Sequence, residues 1–402
     1  MVYKNSTPVA NIGGVDLYMN DIVDACLIGK LNLFLQGDTG SGKTQLATDA
    51  MSYFPDKSLF ILGRNDMDTR ELFQQLNPDF FRALKEGKLE KGVAPKELTS
   101  KINTNLIVVD ELPNCVPAVR AQLFNLFDGY VEINGIACPI GKGYSAGIAT
   151  GNIGQKFTES TNELGRALKD RMHVILDTDY FAPNASDTQK ILAGNTNPRV
   201  EFSAPEDKSA DIVQRADELK KRPISFEKLM IANYLLHGLA YCEVGKKEQD
   251  KRKMKDAWPN AVDNHGAGSL DAMVLPVSVR GAKSIIRLSE SLEDIARARG
   301  AENLEALESM MQAYKLVSAY SGVLNDVAVN ANYSGDRYSA MDAIASAISA
   351  QFVEKAEALA KGLDMVGRGK TDEKILNLFT GRWKFMQDSL KGLVEEQKKS
   401  KG

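Results

Sequence analysis

Cysteine and histidine are scarce in this chain. Its four cysteines, Cys26, Cys115, Cys138 and Cys242, are scattered without a CxxC pair among 402 residues, and the histidines are His173, His237 and His265 only. Such spacing argues against a zinc centre. No stretch approaches the roughly 18 apolar residues of a membrane span, and the opening MVYKNSTPVANIGG lacks the basic start and apolar run of a secretory signal. A cytoplasmic protein with reduced thiols is the expectation. Neither sign of charge dominates: 50 Lys and Arg stand against 53 Asp and Glu, a net charge of -3, so no global positive field draws nucleic acid or anionic lipid. Repeats of fixed period and low-complexity tracts are missing too. With 43% hydrophobic and 26% charged residues, the chain reads as folded and globular, long enough for two or three domains.

Short apolar runs alternate with helical patterns between residues 31 and 178. The runs are LNLFLQ (31–36), SLFIL (58–62), LIVVD (106–110), AGIAT (146–150) and HVIL (173–176), and continuous apolar runs of this length suit buried parallel strands. Helices are expected at 42–53 after a Gly-rich turn, at 117–127 from Pro117, and at 162–170 from Asn162. This alternation predicts an α/β domain, a parallel sheet flanked by helices, over 1–180. After Pro183 strand-like runs almost vanish, and helical spacing takes over at 224–241 and 281–299, which predicts an all-helical second domain over 181–326. Ala-rich helical patterns at 339–361 and 373–395 and the polar tail KKSKG give a C-terminal helical extension, 327–402, with a frayed end.

The chemistry concentrates in GDTGSGKT. Gly37, Gly42, Lys43 and Thr44 fit G-x-x-x-x-G-K-[ST] directly after a strand and before a helix, and Asp38, Thr39, Gly40 and Ser41 complete the loop. Glycines let successive N–H groups curl around a phosphate, and the helix N-terminus behind them adds its positive end. Lys43 is placed to reach the β- and γ-phosphates and Thr44 to ligate Mg2+. LIVVDE sets Asp110 and Glu111 at the C-terminal end of an apolar strand, where open α/β sheets bind ligands. Asp110 suits Mg2+ through water, and Glu111 is placed to orient or deprotonate an attacking water.

With these residues assembled, the chain over 30 to about 325 resembles the AAA+ ATPases, and among them the MoxR-like branch, which shares its layout with the dynein-related AAA group. NLIVVDELPNCVPAVRAQLFNLFDGYVEINGIACPIG is similar to that family's acidic strand, helix and β-hairpin, and GIATGN to the strand ending in its polar first sensor. The resemblance implies Asn152 as that sensor. From ELGRALKDRM it implies Arg171, or as second candidate Arg166, as an arginine finger acting in a neighbouring subunit. From LPVSVRGAKSIIRL it implies Arg280 as a second sensor on the helical lid. It further implies ATP and Mg2+ as ligands, a homo-oligomeric ring, most simply a hexamer, a protein client to remodel, and a von Willebrand A domain protein as partner. Two departures stand out. Leu112, Pro113 and Asn114 occupy the usual Ile-Asn-Arg, so either Asn114 is the polar switch residue or the switch is absent, and Met172 replaces Phe.

Other patterns have plainer readings. GYSAG (143–147) fits a hydrolase elbow around Ser145, and GKGYSA (141–146) a dinucleotide turn, but neither joins a strand to a helix, so a hairpin turn is expected. GKT at 369–371 lacks its upstream Gly and strand. The stripe Leu229, Met230, Tyr234 and Leu235 reads as helix core. KKEQDKRKMK (246–255) is read as a solvated insertion, with contact to nucleic acid as its functional alternative. Two other functions stay open: an ATP-driven nucleic-acid motor or loader, and a monomeric kinase or nucleotide switch.

Overall fold

Five of the apolar runs form one parallel sheet: β1 (Leu33–Gln36), β2 (Ser58–Leu62), β3 (Leu106–Asp110), β4 (Ala146–Gly151) and β5 (Val174–Asp177), in the order β5-β1-β4-β3-β2. The structure, a computed structural model, describes residues 2–64, 68–88, 95–133, 135–152, 171–194, 196–262 and 269–401. It divides into two compact units, residues 1–10 with 16–221 and residues 11–15 with 222–402.

In the first unit the sheet is flanked by α1 (Met19–Gly29), α2 (Lys43–Met51), α3 (Pro117–Phe127) and α4 (Ser209–Lys221). Leu33, Phe34 and Leu35 of β1 and Leu106 to Val109 of β3 have no exposed surface, which is why these strands lack polar alternation. Asn32 ties the N-terminal ends of the strands together. Its Nδ2 donates to the carbonyls of Phe127 (2.8 Å) and Arg171 (3.1 Å), while its Oδ1 accepts from Gly147 N (2.9 Å). Gly147 must be glycine here, because a Cβ would lie 2.3 Å from the Phe127 ring. The expected hairpin follows α3, pairing Tyr130–Ile133 with Ile136–Pro139. The turn at Gly141–Gly143 precedes β4 as the GKGYSA reading requires, and Ser145 is buried. The helix expected at 162–170 lies outside the described residues.

The second unit is mainly helical. α5 (Phe226–Asn233) does not run on to residue 241 as its spacing suggests. It widens into a π turn at Tyr234–Gly238 and gives way to a hairpin of β6 (Tyr241–Val244) and β7 (Lys247–Asp250). The reason is local: Gly245 and Lys246 both have positive φ (55° and 64°), the geometry of a two-residue hairpin turn. α6 (Val279–Ala298), α7 (Ala306–Ser318), α8 (Arg337–Arg368) and α9 (Phe385–Lys401) then stack in sequence. Gly369 of the GKT triplet is the left-handed C-cap of α8. The pattern at 373–395 breaks into Glu373–Leu376, a turn at Gly381–Trp383, and α9. α9 runs from Phe385 to Lys401, with Met386, Leu390 and Val394 buried along it. Of the Leu229 stripe, Met230, Tyr234 and Leu235 are core, while Leu229 remains part-exposed.

The basic run is not simply solvated. Lys251 follows β7 with a side chain of no exposed surface, its Nζ 3.2 Å from Asp271 Oδ1 and donating to the Val274 carbonyl at 3.0 Å. Arg382, from the turn before α9, reaches the same carboxylate at 2.9 Å. One acid thus pairs with two cations, a buried lysine and a half-buried arginine, from segments more than 100 residues apart in sequence. Removing one partner of such a cluster leaves uncompensated charge, a loss of about 3–5 kcal/mol. Asp271→Ala is expected to lower the stability of the second unit by about 3 kcal/mol, read by chemical denaturation; a change below ~1 kcal/mol would show that the cluster is not under tension.

Candidate functional site: a phosphate cradle with two acids

The loop after β1 folds tightly at glycines, two of which leave no room for a side chain. A Cβ on Gly37 would sit 2.2 Å from Thr178 Oγ1, and one on Gly42 would sit 2.9 Å from the Tyr3 ring. Gly40 and Gly42 also take φ of +84° and +85°, where an L-residue is strained. The segment after β5 grips the loop from outside: Asp179 Oδ2 accepts from Asp38 N (2.7 Å), and Thr178 Oγ1 lies 2.7 Å from Ser41 Oγ. Lys43, the first residue of α2, is buried and folds back, its Nζ donating to the carbonyls of Gly37 (3.0 Å) and Asp38 (2.7 Å). Burial pulls the Lys43 pKa down, against the opposing charges of Glu111, Asp179, Asp110 and Asp38.

The acids arrive on the parallel register. Ala149 pairs with Val109, so Thr150 lies beside Asp110, and Thr150 Oγ1 donates to Asp110 Oδ1 at 2.6 Å. Thr44 Oγ1, from the first turn of α2, donates to the same oxygen at 2.9 Å. Glu111 then leaves the strand with left-handed backbone, φ +56° and ψ +44°, a conformation that costs a non-glycine residue about 1–2 kcal/mol. Two contacts support the turn. Glu111 N donates to Thr150 Oγ1 (3.2 Å), and Gly63 gives the carbonyl space, since a Cβ there would meet Glu111 O at 2.4 Å. Burial raises the Glu111 pKa, the Asp110 charge raises it further, and Lys43 opposes both.

The remaining predicted residues divide. Asn152, just past β4, turns its Nδ2 toward Thr39 Oγ1 at 3.5 Å and so stands beside the loop. Asn114 is exposed at the end of the turn Leu112–Asn114 after the acids, whose other two residues are buried. Arg171 sits at the opposite end of the sheet. Its carbonyl accepts from Asn32, its Nε is 2.9 Å from Asp128 Oδ2, and its guanidinium lies 4.9 Å from the Phe124 ring centre. From Asn32 to Gly37 the strand travels roughly 16 Å at about 3.3 Å per residue, so Arg171 does not reach its own chain's loop. Arg166 lies outside the described residues. Arg280 occupies the first turn of α6 in the second unit, after the Ser278 cap.

Four contributors escape a motif reading: Thr150, Thr178, Asp179 and Gly63. Only Thr150 leaves a trace in sequence, as a polar residue in the otherwise apolar AGIATG. Together the cradle, a helix N-terminus and Lys43 suit a phosphate chain. The oxygens of Thr44 and Asp110 suit a small hard cation, and no cluster of three or more His, Cys, Asp or Glu forms among the described residues. A cation completed by phosphate and water needs none.

The raised Glu111 pKa has a thermodynamic consequence. The folded state binds a proton more readily than the unfolded chain, so the group supports stability at low pH and works against it as pH rises above the ordinary carboxyl range. Glu111→Gln is expected to raise the melting temperature of the nucleotide-free protein at pH 7, with the gain shrinking toward pH 4. A lower melting temperature at pH 7 would mean that the Lys43 attraction outweighs burial.

Residues 32–172 match the family described as AAA domain (dynein-related subfamily). A protein from Cytophaga hutchinsonii, described provisionally as an ATPase, is similar in fold with a TM-score of 0.54 at 16% identity, over 84% of this chain and 90% of that one. A full-length MCM homolog from Methanopyrus kandleri aligns with a TM-score of 0.44 at 14% identity, over 76% of this chain and 55% of that one. No curated protein matches. The loop from Gly37 to Thr44, the paired acids and four of the five sheet strands lie within residues 32–172, and that segment is similar to the AAA domain of the dynein-related subfamily.

Proposed function

We propose that the protein is a Mg2+-dependent, MoxR-like ATPase that assembles into a ring, most simply a hexamer, and uses hydrolysis to remodel a protein client, with a von Willebrand A domain protein as partner. The observation that carries the ring is the position of Arg171, at the end of the sheet away from its own chain's loop. An arginine so placed does not serve its own chain's loop, and as a finger it would exchange its pair with Asp128 for the phosphates of a neighbour's site.

The geometry supports the roles at the loop and the acids, and the resemblance supports those of Asn152 and Arg280. The loop from Gly37 to Thr44 would hold the β- and γ-phosphates on backbone N–H groups, with the Lys43 ammonium turned from the loop carbonyls to the phosphate oxygens. Thr44 and Asp110 would hold Mg2+, which when bound neutralises charge on those oxygens. Glu111, kept basic by its raised pKa, accepts the proton of the attacking water. Asn152, beside the loop, orients that water, and Arg280 reads the γ-phosphate from the helical region. Adenine is favoured over guanine by the family alone. The nucleic-acid reading loses ground, because Lys251 is consumed in a buried pair and Arg252 pairs with Asp250 at 2.7 Å.

Mixing variants tests the ring. Arg171→Ala and Glu111→Gln should each lower turnover by about a thousandfold alone. Mixed, they should recover activity, since a subunit with intact Glu111 then meets a neighbour with intact Arg171. Absence of recovery overturns the finger assignment, and recovery with Arg166→Ala in place of Arg171→Ala moves it to Arg166. Per-subunit turnover of the wild type should also climb with protein concentration to a plateau; a flat rate from a species sized as a monomer would overturn the ring.

A further inference from the structure

We infer that Thr150 is a positioning residue for hydrolysis, whose single hydroxyl holds the side chain of Asp110 and the backbone of Glu111 in register with the strand that ends at Asn152. The inference rests on the reading of Glu111 as the base and adds a residue to that site.

Thr150 is fully buried in β4, where every neighbour in AGIATG is apolar or glycine. A hydroxyl in such a run needs partners, and this one has two with different chemistry. As donor it meets Asp110 Oδ1 at 2.6 Å, the short range of a hydroxyl bonding a carboxylate. As acceptor it receives Glu111 N at 3.2 Å. Thr44 Oγ1 comes to the same Asp110 oxygen from α2, so that oxygen is pinned by two hydroxyls on two elements. The Glu111 N–H is the more consequential partner. Glu111 is one of few non-glycine residues with positive φ, and it is the bond from its own N–H that fixes the plane from which its carboxyl departs.

The placement also links two parts of the site. Thr150 precedes Asn152 by two residues on one extended segment, and Asn152 reaches Thr39 of the loop. A shift of the end of β4 is therefore passed to Asp110 and Glu111 through one oxygen. Valine has nearly the shape of threonine and lacks the oxygen, which makes the hydroxyl separable from the packing. Serine keeps the oxygen and loses the methyl.

The test measures amide hydrogen exchange over residues 106–116 in the nucleotide-free protein, alongside kcat and KM for Mg2+-ATP. In Thr150→Val, exchange at the Glu111 amide should rise tenfold or more and kcat should fall at least tenfold, with KM within about twofold of wild type. Thr150→Ser should keep Glu111 protected and retain most of kcat. Wild-type exchange in Thr150→Val, or equal losses in the serine and valine variants, would overturn the inference, the second outcome pointing to methyl packing instead. If Glu111→Gln abolishes turnover while Thr150→Val leaves it unchanged, the inference falls and the ATPase reading stands. If the wild type shows no turnover but Thr150→Val still frees the Glu111 amide, the ATPase reading falls and the hold on Glu111 stands.

Discussion

Asp110 Oδ1 is the point on which the site is hung. Thr44 brings the start of α2 to it, Thr150 brings β4, and the carboxylate itself ends β3. Each of these elements is fixed elsewhere by apolar packing, so the oxygen does not assemble the fold. It sets where three rigid pieces meet, to within the tolerance of a hydrogen bond. Glu111 inherits that precision through its N–H and through the space that Gly63 leaves.

Charge at the cradle is arranged as a set of opposed terms. Lys43 is buried among carboxylates, and Glu111 is half-buried beside a like charge, so desolvation pushes each toward its neutral form while the other pulls it back. Such a balance is sensitive to added charge. A phosphate chain in the cradle would favour the charged form of Lys43 and disfavour that of Glu111 further, which would tie the protonation of Glu111 to occupation of the cradle. The N-terminal residues take part in shaping the cradle: Tyr3 packs on Gly42, and its N–H is held by buried Asp49 on α2 at 2.7 Å.

In the second unit the same accounting yields structure and not chemistry. Lys251, Asp271 and Arg382 gather a hairpin, a short helix and the turn before α9 around one carboxylate. Trp258 adds to this, its indole N–H donating to the Asp271 carbonyl at 2.8 Å. A charge run in sequence gives no hint which of its members is buried, because the partner that permits burial lies far along the chain.

Local pattern determined much of this protein. Apolar runs without polar alternation marked the five strands to within a residue or two, and the Gly-x-x-x-x-Gly-Lys-Thr and Asp-Glu pairs marked the loop and the acids, since steric and phosphate-binding demands act on adjacent residues. Tertiary structure alone decided what depends on distant partners. It buried Lys251, clamped the loop with Thr178 and Asp179, and set Arg171 at the far end of the sheet from its own chain's loop. It also gave Thr150 two acids to hold, because parallel register places residues 40 apart in sequence side by side, and no spacing in the chain encodes that register.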